Sequence, residues 1–188
     1  MEPNRTRRTP KPLNAAALNE LALRYVGRFA TTRAKLRSYL ARKVRERGWD
    51  GDRDPDFSAI SDRFAELGYV DDEAFATAKS RSLSARGYGK RRLLDALQVA
   101  GVAEEQSVAA RELADEEAVA AALRYAKRRR IGPFAVAVEK DPNVREKSLA
   151  AMLRAGHGYK IARAILALEP ANNANIDQVL EYLEFNSA

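Results

Sequence analysis

Residues 68–76 read GYVDDEAFA, and this stretch decides how the chain is divided, because one helical segment stops here and another starts. Gly68 follows an apolar pattern with helical spacing and can take the left-handed conformation that closes a helix. Asp71 is placed to cap the next helix, and Asp72 and Glu73 fall in its first turn, where the helix dipole favours negative charge. Adjacent carboxylates also occur as metal ligands or acid–base pairs, but these two side chains diverge at a helix start. We therefore expect a joint between two helices.

The helical pattern before this joint returns after it, which indicates an internal repeat. Three glycines that follow helical stretches, Gly48, Gly101 and Gly156, are separated by 53 and 55 residues, and each has an apolar residue four positions before it. A three-helix unit of about 50 residues buries little surface alone and has to stack on its neighbours. The sequence therefore predicts an all-α fold of three tandem three-helix repeats stacked into an elongated, curved body.

Proline, glycine and charge signals set the expected boundaries of these repeats. Residues 1–13 contain three prolines and four basic residues against one acidic residue, so we predict a flexible basic arm that buries no core. The first repeat is expected at residues 14–70, the second at 71–114 and the third at 115–169. Residues 170–188 are expected to hold a linker and a short amphipathic tail helix.

Several helix starts are predicted from capping residues. A first helix is expected over residues 14–30, and Thr31 or Thr32 is expected to cap the next one. Residues 54–55, an Asp-Pro pair, are expected to cap and begin the third helix of the first repeat. The second Asp-Pro pair, residues 141–142, is expected to open a helix of the third repeat in the same way.

Composition limits the classes of protein to which the chain can belong. Of its 188 residues 46% are apolar, which is enough for a packed core. No apolar run approaches the roughly 20 residues that a bilayer crossing needs, and the first residues lack the apolar segment of a signal peptide. The absence of cysteine excludes disulfide scaffolds and thiolate metal sites, and a cytoplasmic location is expected. The single histidine, His157, lies between two glycines and is expected in a turn.

Charge is distributed in alternating blocks along the chain. The net charge is +7 and the isoelectric point is near 9.8. Residues 32–47 carry seven basic residues and one acidic residue, residues 79–92 carry six basic residues, and residues 124–130 carry five. The intervening segments 50–73 and 95–117 are acidic. Basic blocks that recur with the repeat favour a polyanionic partner, nucleic acid first.

The basic blocks supply the candidate contacts to nucleic acid. Each block lies near the start of a middle helix or the end of a first helix, so stacked repeats are expected to align the blocks along one surface. The alternative is that these residues form ordinary solvated helix faces. The candidate binding residues are Arg33, Lys35, Arg37, Arg42, Arg45, Lys79, Arg81, Arg86, Lys90, Arg91, Arg92, Lys127, Arg128, Arg129 and Arg130.

No arrangement of residues in the sequence supports an enzyme. Its Gly-Lys pair, Gly89 and Lys90, lacks the frame of a phosphate-binding P-loop. The acidic residues fall in solvated segments, where a charged face explains them better than an active site. We therefore expect no catalytic residue, no metal site and no cofactor.

Several stretches resemble the RecX family, whose members regulate the RecA recombinase. The resemblance rests on residues 68–76, on Arg86-Gly87-Tyr88-Gly89, on Arg92-Leu93 and Leu97 with Gly101-Val102, and on the earlier pattern of Leu36, Leu40 and Gly48. It covers residues 15–169 and implies three tandem three-helix repeats. It also implies binding to the RecA filament and to single- and double-stranded DNA, inhibition of filament growth, and no catalysis by the regulator. Residues 133–140 and the tail after Pro170 depart from the family pattern.

The resemblance and the charge pattern together predict a regulatory protein that acts, as a monomer, on RecA and its DNA filament. The alternative, from another class, is a free-standing DNA-binding transcription regulator. A nuclease is the third possibility considered.

Overall fold

The computed structural model describes residues 11–171 and 175–185, and within these ranges the chain forms helices and no β-strand. The all-α class is therefore confirmed. The α-helices are α1 Ala15–Val26, α2 Arg33–Arg47, α3 Phe57–Glu66, α4 Asp72–Ala85, α5 Lys90–Ala100, α6 Val108–Glu116, α7 Ala118–Arg129, α8 Pro142–Arg154, α9 Tyr159–Ala167 and α10 Ile176–Phe185. Short 3-10 helices form at Glu105–Ser107 and Gly132–Phe134. None of the helices in the described ranges is long and apolar enough to cross a membrane.

The chain divides into two compact units, and the first extends to Asp72. In this unit α1, α2 and α3 enclose one core, against which Tyr25 and Tyr39 stack with ring centroids 4.1 Å apart. Burial of these aliphatic and aromatic side chains is the main source of stability for the three helices. The buried core residues are Leu13, Leu18, Ala22, Leu36, Leu40, Phe64 and Val70.

Residue Leu13 belongs to this core, although the prediction placed it in the flexible arm. Its amide donates to the Gly48 carbonyl at 2.9 Å, and its carbonyl accepts from the Asp50 amide at 2.8 Å. These bonds form an isolated parallel bridge between Leu13 and Trp49. Residues 1–10 of the predicted arm lie outside the described residues.

Capping explains where the first helices begin. The Asn14 side chain accepts from the Ala17 amide, and Thr32, one of the two predicted caps, accepts from the Lys35 amide. The prediction for α3 is wrong by two residues, because Asp56 and not Asp54 is the cap and accepts from the Ala59 amide at 2.9 Å. Pro55 therefore precedes the helix instead of beginning it.

The predicted joint is present at the end of the first unit. Gly68 has a φ of 75°, the left-handed conformation that the sequence predicts. The amides of Tyr69 and Val70 both donate to the Phe64 carbonyl, which closes the last turn of α3. Because α4 begins at Asp72, Asp71 occupies the position directly before the helix.

The second unit extends from Glu73 and contains two apolar clusters. One lies among α4, α5 and α6 and the other among α7, α8 and α9, and Tyr88 packs against both clusters. The tail helix α10 contacts α7 through Ile176, Val179 and Leu180. The helix α6 continues to Glu116, past the predicted repeat boundary between residues 114 and 115.

Two turns of the second unit meet through their backbones. One joins α4 to α5 at residues 86–89, and the other joins α8 to α9 at residues 155–158. The Gly89 amide donates to the Ala155 carbonyl at 3.0 Å, and the Arg91 amide donates to the Gly156 carbonyl at 3.2 Å. A Cβ on Gly89 would lie 2.2 Å from the Gly156 carbonyl oxygen, so this approach requires glycine. We call this arrangement the turn contact.

The structure places His157 in the turn contact, as the sequence predicts, but buries it, which the sequence does not indicate. Its Nε2 lies 3.2 Å from the Gly87 carbonyl, and its ring meets the Tyr125 ring edge-on at 5.4 Å. Burial lowers the pKa of His157 below 6.5, and the nearby Arg128 acts in the same direction. This histidine therefore serves packing in its neutral form.

Candidate nucleic-acid interface

Six arginines of the second unit surround the turn contact and form a continuous basic strip. Two stand at the start of α5, two at the end of α7, one at the end of α8 and one in the α4–α5 turn. We call Arg86, Arg91, Arg92, Arg128, Arg129 and Arg154 the basic seam. All six are exposed, and among the described residues none of them forms an ion pair with an acidic side chain.

Tyrosine rings hold several of these guanidinium groups in place. The Arg128 guanidinium lies 5.7 Å from the centroid of the Tyr88 ring and 5.4 Å from that of Tyr125. Arg86 lies 5.6 Å from the Tyr88 centroid, and an Arg128 nitrogen donates to the Arg86 carbonyl. A cation held over a ring keeps its full charge, so it can still bind an anion.

The Tyr125 hydroxyl also helps to set the geometry of the seam. It donates to the Ala151 carbonyl of α8 at 3.2 Å, which ties α7 to α8. Arg129 lies 5.9 Å from the Tyr125 centroid, and its hydrogen bond with Tyr125 raises the pKa of the guanidinium above its ordinary value. Arg129 is therefore charged at any pH at which the protein is folded.

Two open clefts run along the seam, and Arg154 lines both. The larger has a volume of about 460 Å³ and lies between α7 and α8, where Tyr88 and Tyr125 contribute to its walls. The smaller has a volume of about 270 Å³ and is lined by Arg91, Arg92 and Asp95 of α5 and by the end of α8. Charge patterning did not identify Arg154 as a site residue, because it lies outside the three basic blocks.

Other candidates of the second unit are placed less favourably for binding an anion. Lys90 forms an ion pair with Asp115 at 2.5 Å, which offsets part of its charge. Lys79 is half-buried on α4, whereas Arg81 is exposed there. At the end of α7, Lys127 and Arg130 are exposed, and Arg130 takes a left-handed φ of 54° that ends the helix.

The candidates of the first unit lie on α2, where neighbouring polar groups engage many of them. Arg33 is 3.4 Å from one carboxylate oxygen of Asp72, which is buried, and 3.8 Å from Asp62. The Arg33 backbone amide also donates to Asp72 at 2.9 Å, so this carboxylate holds the first turn of α2. The sequence placed Asp72 in the solvated first turn of α4 and did not predict this contact.

The remaining cations of α2 differ in how strongly they are held. Arg37 donates to the Ser61 hydroxyl at 3.4 Å, and Arg42 lies 3.7 Å from a Glu46 oxygen. Lys35 is half-buried in the first turn, where its amide is capped by Thr32, and Arg45 is exposed. The basic seam thus brings together arginines from two of the three basic blocks, residues 79–92 and 124–130, while α2 directs several of its charges to neighbours of the same unit.

The chemistry of these groups is that of an anion-binding surface. Guanidinium groups bind phosphate through paired N–H donors, and tyrosine rings add apolar contact area. Among residues 11–171 and 175–185, no group of three or more His, Cys, Asp or Glu side chains is arranged to hold a metal ion.

Comparisons with known proteins point to one family. Residues 71–110 match the model of the second three-helix domain of RecX. The chain is 30% identical over 172 residues to the regulatory protein RecX of Myxococcus xanthus, a match that covers 86% of this chain and 90% of that protein. It is 31% identical over 175 residues to the regulatory protein RecX of Mycobacterium sp. strain JLS, covering 90% and 92%. The crystal structure of RecX from Lactobacillus salivarius has a similar fold, with a TM-score of 0.58 at 19% identity over 80% of this chain and 93% of that one.

Proposed function

Because this chain belongs to the RecX family of regulatory proteins, we propose that it binds the RecA recombinase and its DNA filament and inhibits filament growth and recombination activity. The observation that carries the proposal is the basic seam, whose six exposed guanidinium groups form no ion pair among the residues that the structure describes. DNA presents phosphates along its length, and a strip of guanidinium groups is suited to them.

We propose that the seam supplies most of the DNA affinity. The candidates predicted from the sequence that belong to the seam are Arg86, Arg91, Arg92, Arg128 and Arg129. The exposed Arg81, Lys127 and Arg130 lie within five residues of a seam arginine. Arg33, Lys35, Arg37, Arg42, Arg45, Lys79 and Lys90 are assigned a smaller contribution. Several of these seven groups already interact with a neighbouring side chain, and moving them to a phosphate would cost that interaction.

We also propose that the protein acts without catalysis of its own. Binding of cations to phosphates along a filament changes how RecA subunits add or leave, and this requires no bond to be made or broken by the regulator. The two mechanisms open to such a protein are capping of the growing filament end and loosening of the filament along its length.

The experiment that tests the proposal is DNA-dependent ATP hydrolysis by RecA, with the purified protein titrated into the reaction. We expect hydrolysis to fall as the protein is added. A loss at ratios well below one protein per RecA indicates capping, since one bound molecule then stops many subunits. A loss only near equal amounts indicates binding along the filament.

Unchanged hydrolysis at every ratio would contradict the proposal. It would favour the alternative of a free-standing DNA-binding regulator, which the same preparation tests through its binding to duplexes of unrelated sequence. A strong preference for one duplex would support that alternative, because phosphate contacts alone carry little sequence information.

A further inference from the structure

The larger cleft of the seam has two kinds of wall. Its floor is formed by the small side chains of Ala151 on α8 and of Ala155 directly after this helix, and Tyr88 and Tyr125 stand beside it. Its rim carries three arginines, Arg128, Arg129 and Arg154. An apolar floor with aromatic sides and a cationic rim is a different surface from an exposed row of basic residues.

A duplex backbone would make poor use of this cleft. It presents phosphates to the rim, but its bases are stacked and paired inside, so the apolar floor would remain without a contact. In a single strand a base can turn out of the stack and offer a flat apolar face with a phosphate on each side. Proteins that bind single strands combine aromatic contacts with a basic groove in this way.

The dimensions agree with such an occupant. A volume of about 460 Å³ lies within the range of roughly 300–1,000 Å³ that small-ligand sites occupy, and it exceeds what a lone phosphate requires. Tyr88 is half-buried, with the Arg86 and Arg128 guanidinium groups near its ring. Both guanidinium planes and tyrosine rings stack on bases.

We propose that the cleft between α7 and α8 receives one unstacked nucleotide of single-stranded DNA. The base lies on the Ala151 and Ala155 floor beside Tyr88, and the flanking phosphates contact Arg129 and Arg154. The inference rests on the proposed function in one respect, since it gives the DNA-binding part of that function a preference for single strands. The cleft then distinguishes a base from a backbone, which the charge of the seam cannot do alone.

The first test compares two single strands of equal length, an oligothymidylate and an abasic strand that has the same phosphates but no bases. Fluorescence anisotropy without RecA measures both affinities. We expect the protein to bind oligothymidylate about tenfold more tightly, as one stacked base would give. Equal affinities for the two strands would overturn the inference.

The variant for this test is Ala151→Leu, which fills the cleft without changing any charge. We expect it to lose the preference for oligothymidylate while it keeps the affinity of the parent for the abasic strand and for a duplex. Circular dichroism verifies that the variant is folded. A folded Ala151→Leu protein that retains the full preference would overturn the inference.

A second, independent variant tests the rim. Arg154→Ser should reduce the slope of log affinity against log salt on oligothymidylate by about 0.7, the value of one phosphate contact on a single strand. The matched control is Arg163→Ser, an exposed arginine of the neighbouring helix α9, which should leave the slope unchanged. Equal slopes for Arg154→Ser and the parent would contradict the assigned phosphate contact.

Because these measurements contain no RecA, they separate this inference from the proposed function. Inhibition of RecA by a protein without any base preference would leave the function standing and remove the cleft from it. A base preference in a protein that does not affect RecA would support the cleft as a binding site and contradict the proposed function.

Discussion

The helix α2 and the basic seam carry similar numbers of positive charges but hold them in different ways. On α2, Arg33 pairs with Asp72 and Asp62, and Arg42 and Lys43 pair with Glu46. In the seam, tyrosine rings or backbone carbonyl groups hold Arg86, Arg128 and Arg129 in place of carboxylates. A carboxylate neutralises the cation that it positions, whereas a ring positions the cation and leaves its charge available.

A count of basic residues therefore does not locate a binding surface. In the sequence α2 forms one basic block, and five of the six seam arginines belong to the other two blocks. Their different use follows from which residues the fold brings beside them, and in the seam those residues are Tyr88 and Tyr125.

The largest effect is expected from a change at Gly89, which lies in the turn contact beneath the basic seam. The seam depends on the turn contact, in which a Cβ on Gly89 would lie 2.2 Å from the Gly156 carbonyl oxygen. We expect Gly89→Ala to lower the free energy of unfolding by about 3 kcal/mol, because backbone atoms would have to move apart. Thermal or urea unfolding measures the change.

The control for that prediction is Gly158→Ala in the same pair of turns, where no atom lies within 4 Å of the added Cβ. This change should cost about 1 kcal/mol or less, since Gly158 occupies a helix N-cap with φ of −67°. Equal unfolding midpoints for the two variants would show that the backbones at Gly89 and Gly156 do not approach as described.

A change at Asp72 tests the contact that holds Arg33 at the start of α2. The carboxylate is buried and holds both the amide and the guanidinium of Arg33. We expect Asp72→Ala to destabilise the protein by about 2 kcal/mol, and Asp71→Ala next to it by about 1 kcal/mol. Denaturant unfolding of both variants measures the difference. A milder effect at Asp72 than at Asp71 would contradict a structural role for the Arg33 pair.

An effect smaller than those of the substitutions above is expected from His157 in the second unit, through the pH dependence of stability. The pKa of His157 is lowered by burial, so the unfolded chain binds a proton there more readily than the folded one. Stability contributed by neutral His157 is complete above pH 6.5 and is lost as the pH falls from 6.5 toward the lowered pKa. Since the chain has one histidine, comparing melting temperatures of the parent and His157→Gln across this range isolates the effect. A difference between the two proteins that stays constant with pH would contradict the burial of this ring.

Local sequence predicted much of the fold, because helix ends depend on neighbouring residues. Thr32 and Gly68 act as expected, since a cap or a left-handed glycine acts within one turn of helix. Asp141 likewise caps α8 by accepting from the Asn143 amide. The choice of Asp56 over Asp54 was missed because both aspartates offer the same local signal.

The site was harder to predict, because its geometry depends on residues distant in sequence. Lys90 of α5 forms an ion pair with Asp115 of α6, and Arg33 of α2 forms one with Asp72 of α4. Each pair therefore joins residues of two different helices. The cation–π contact between Arg128 and Tyr88 likewise joins two residues that are distant in sequence. Periodicity and charge blocks describe one helix at a time, so they identified the candidates without showing which of them a neighbouring group would engage.

One measurement tests directly the proposal that the basic seam supplies most of the DNA affinity and that α2 contributes less. The measurement is the salt dependence of binding to duplex DNA for two triple variants in which cations become glutamine. The seam variant replaces Arg128, Arg129 and Arg154, and the α2 variant replaces Arg37, Arg42 and Lys43. We expect the slope of log affinity against log salt to decrease by about 2 to 3 for the seam variant and by less than about 1 for the α2 variant. An unchanged slope in a folded seam variant, or an equal or larger decrease in the α2 variant, would contradict the claim.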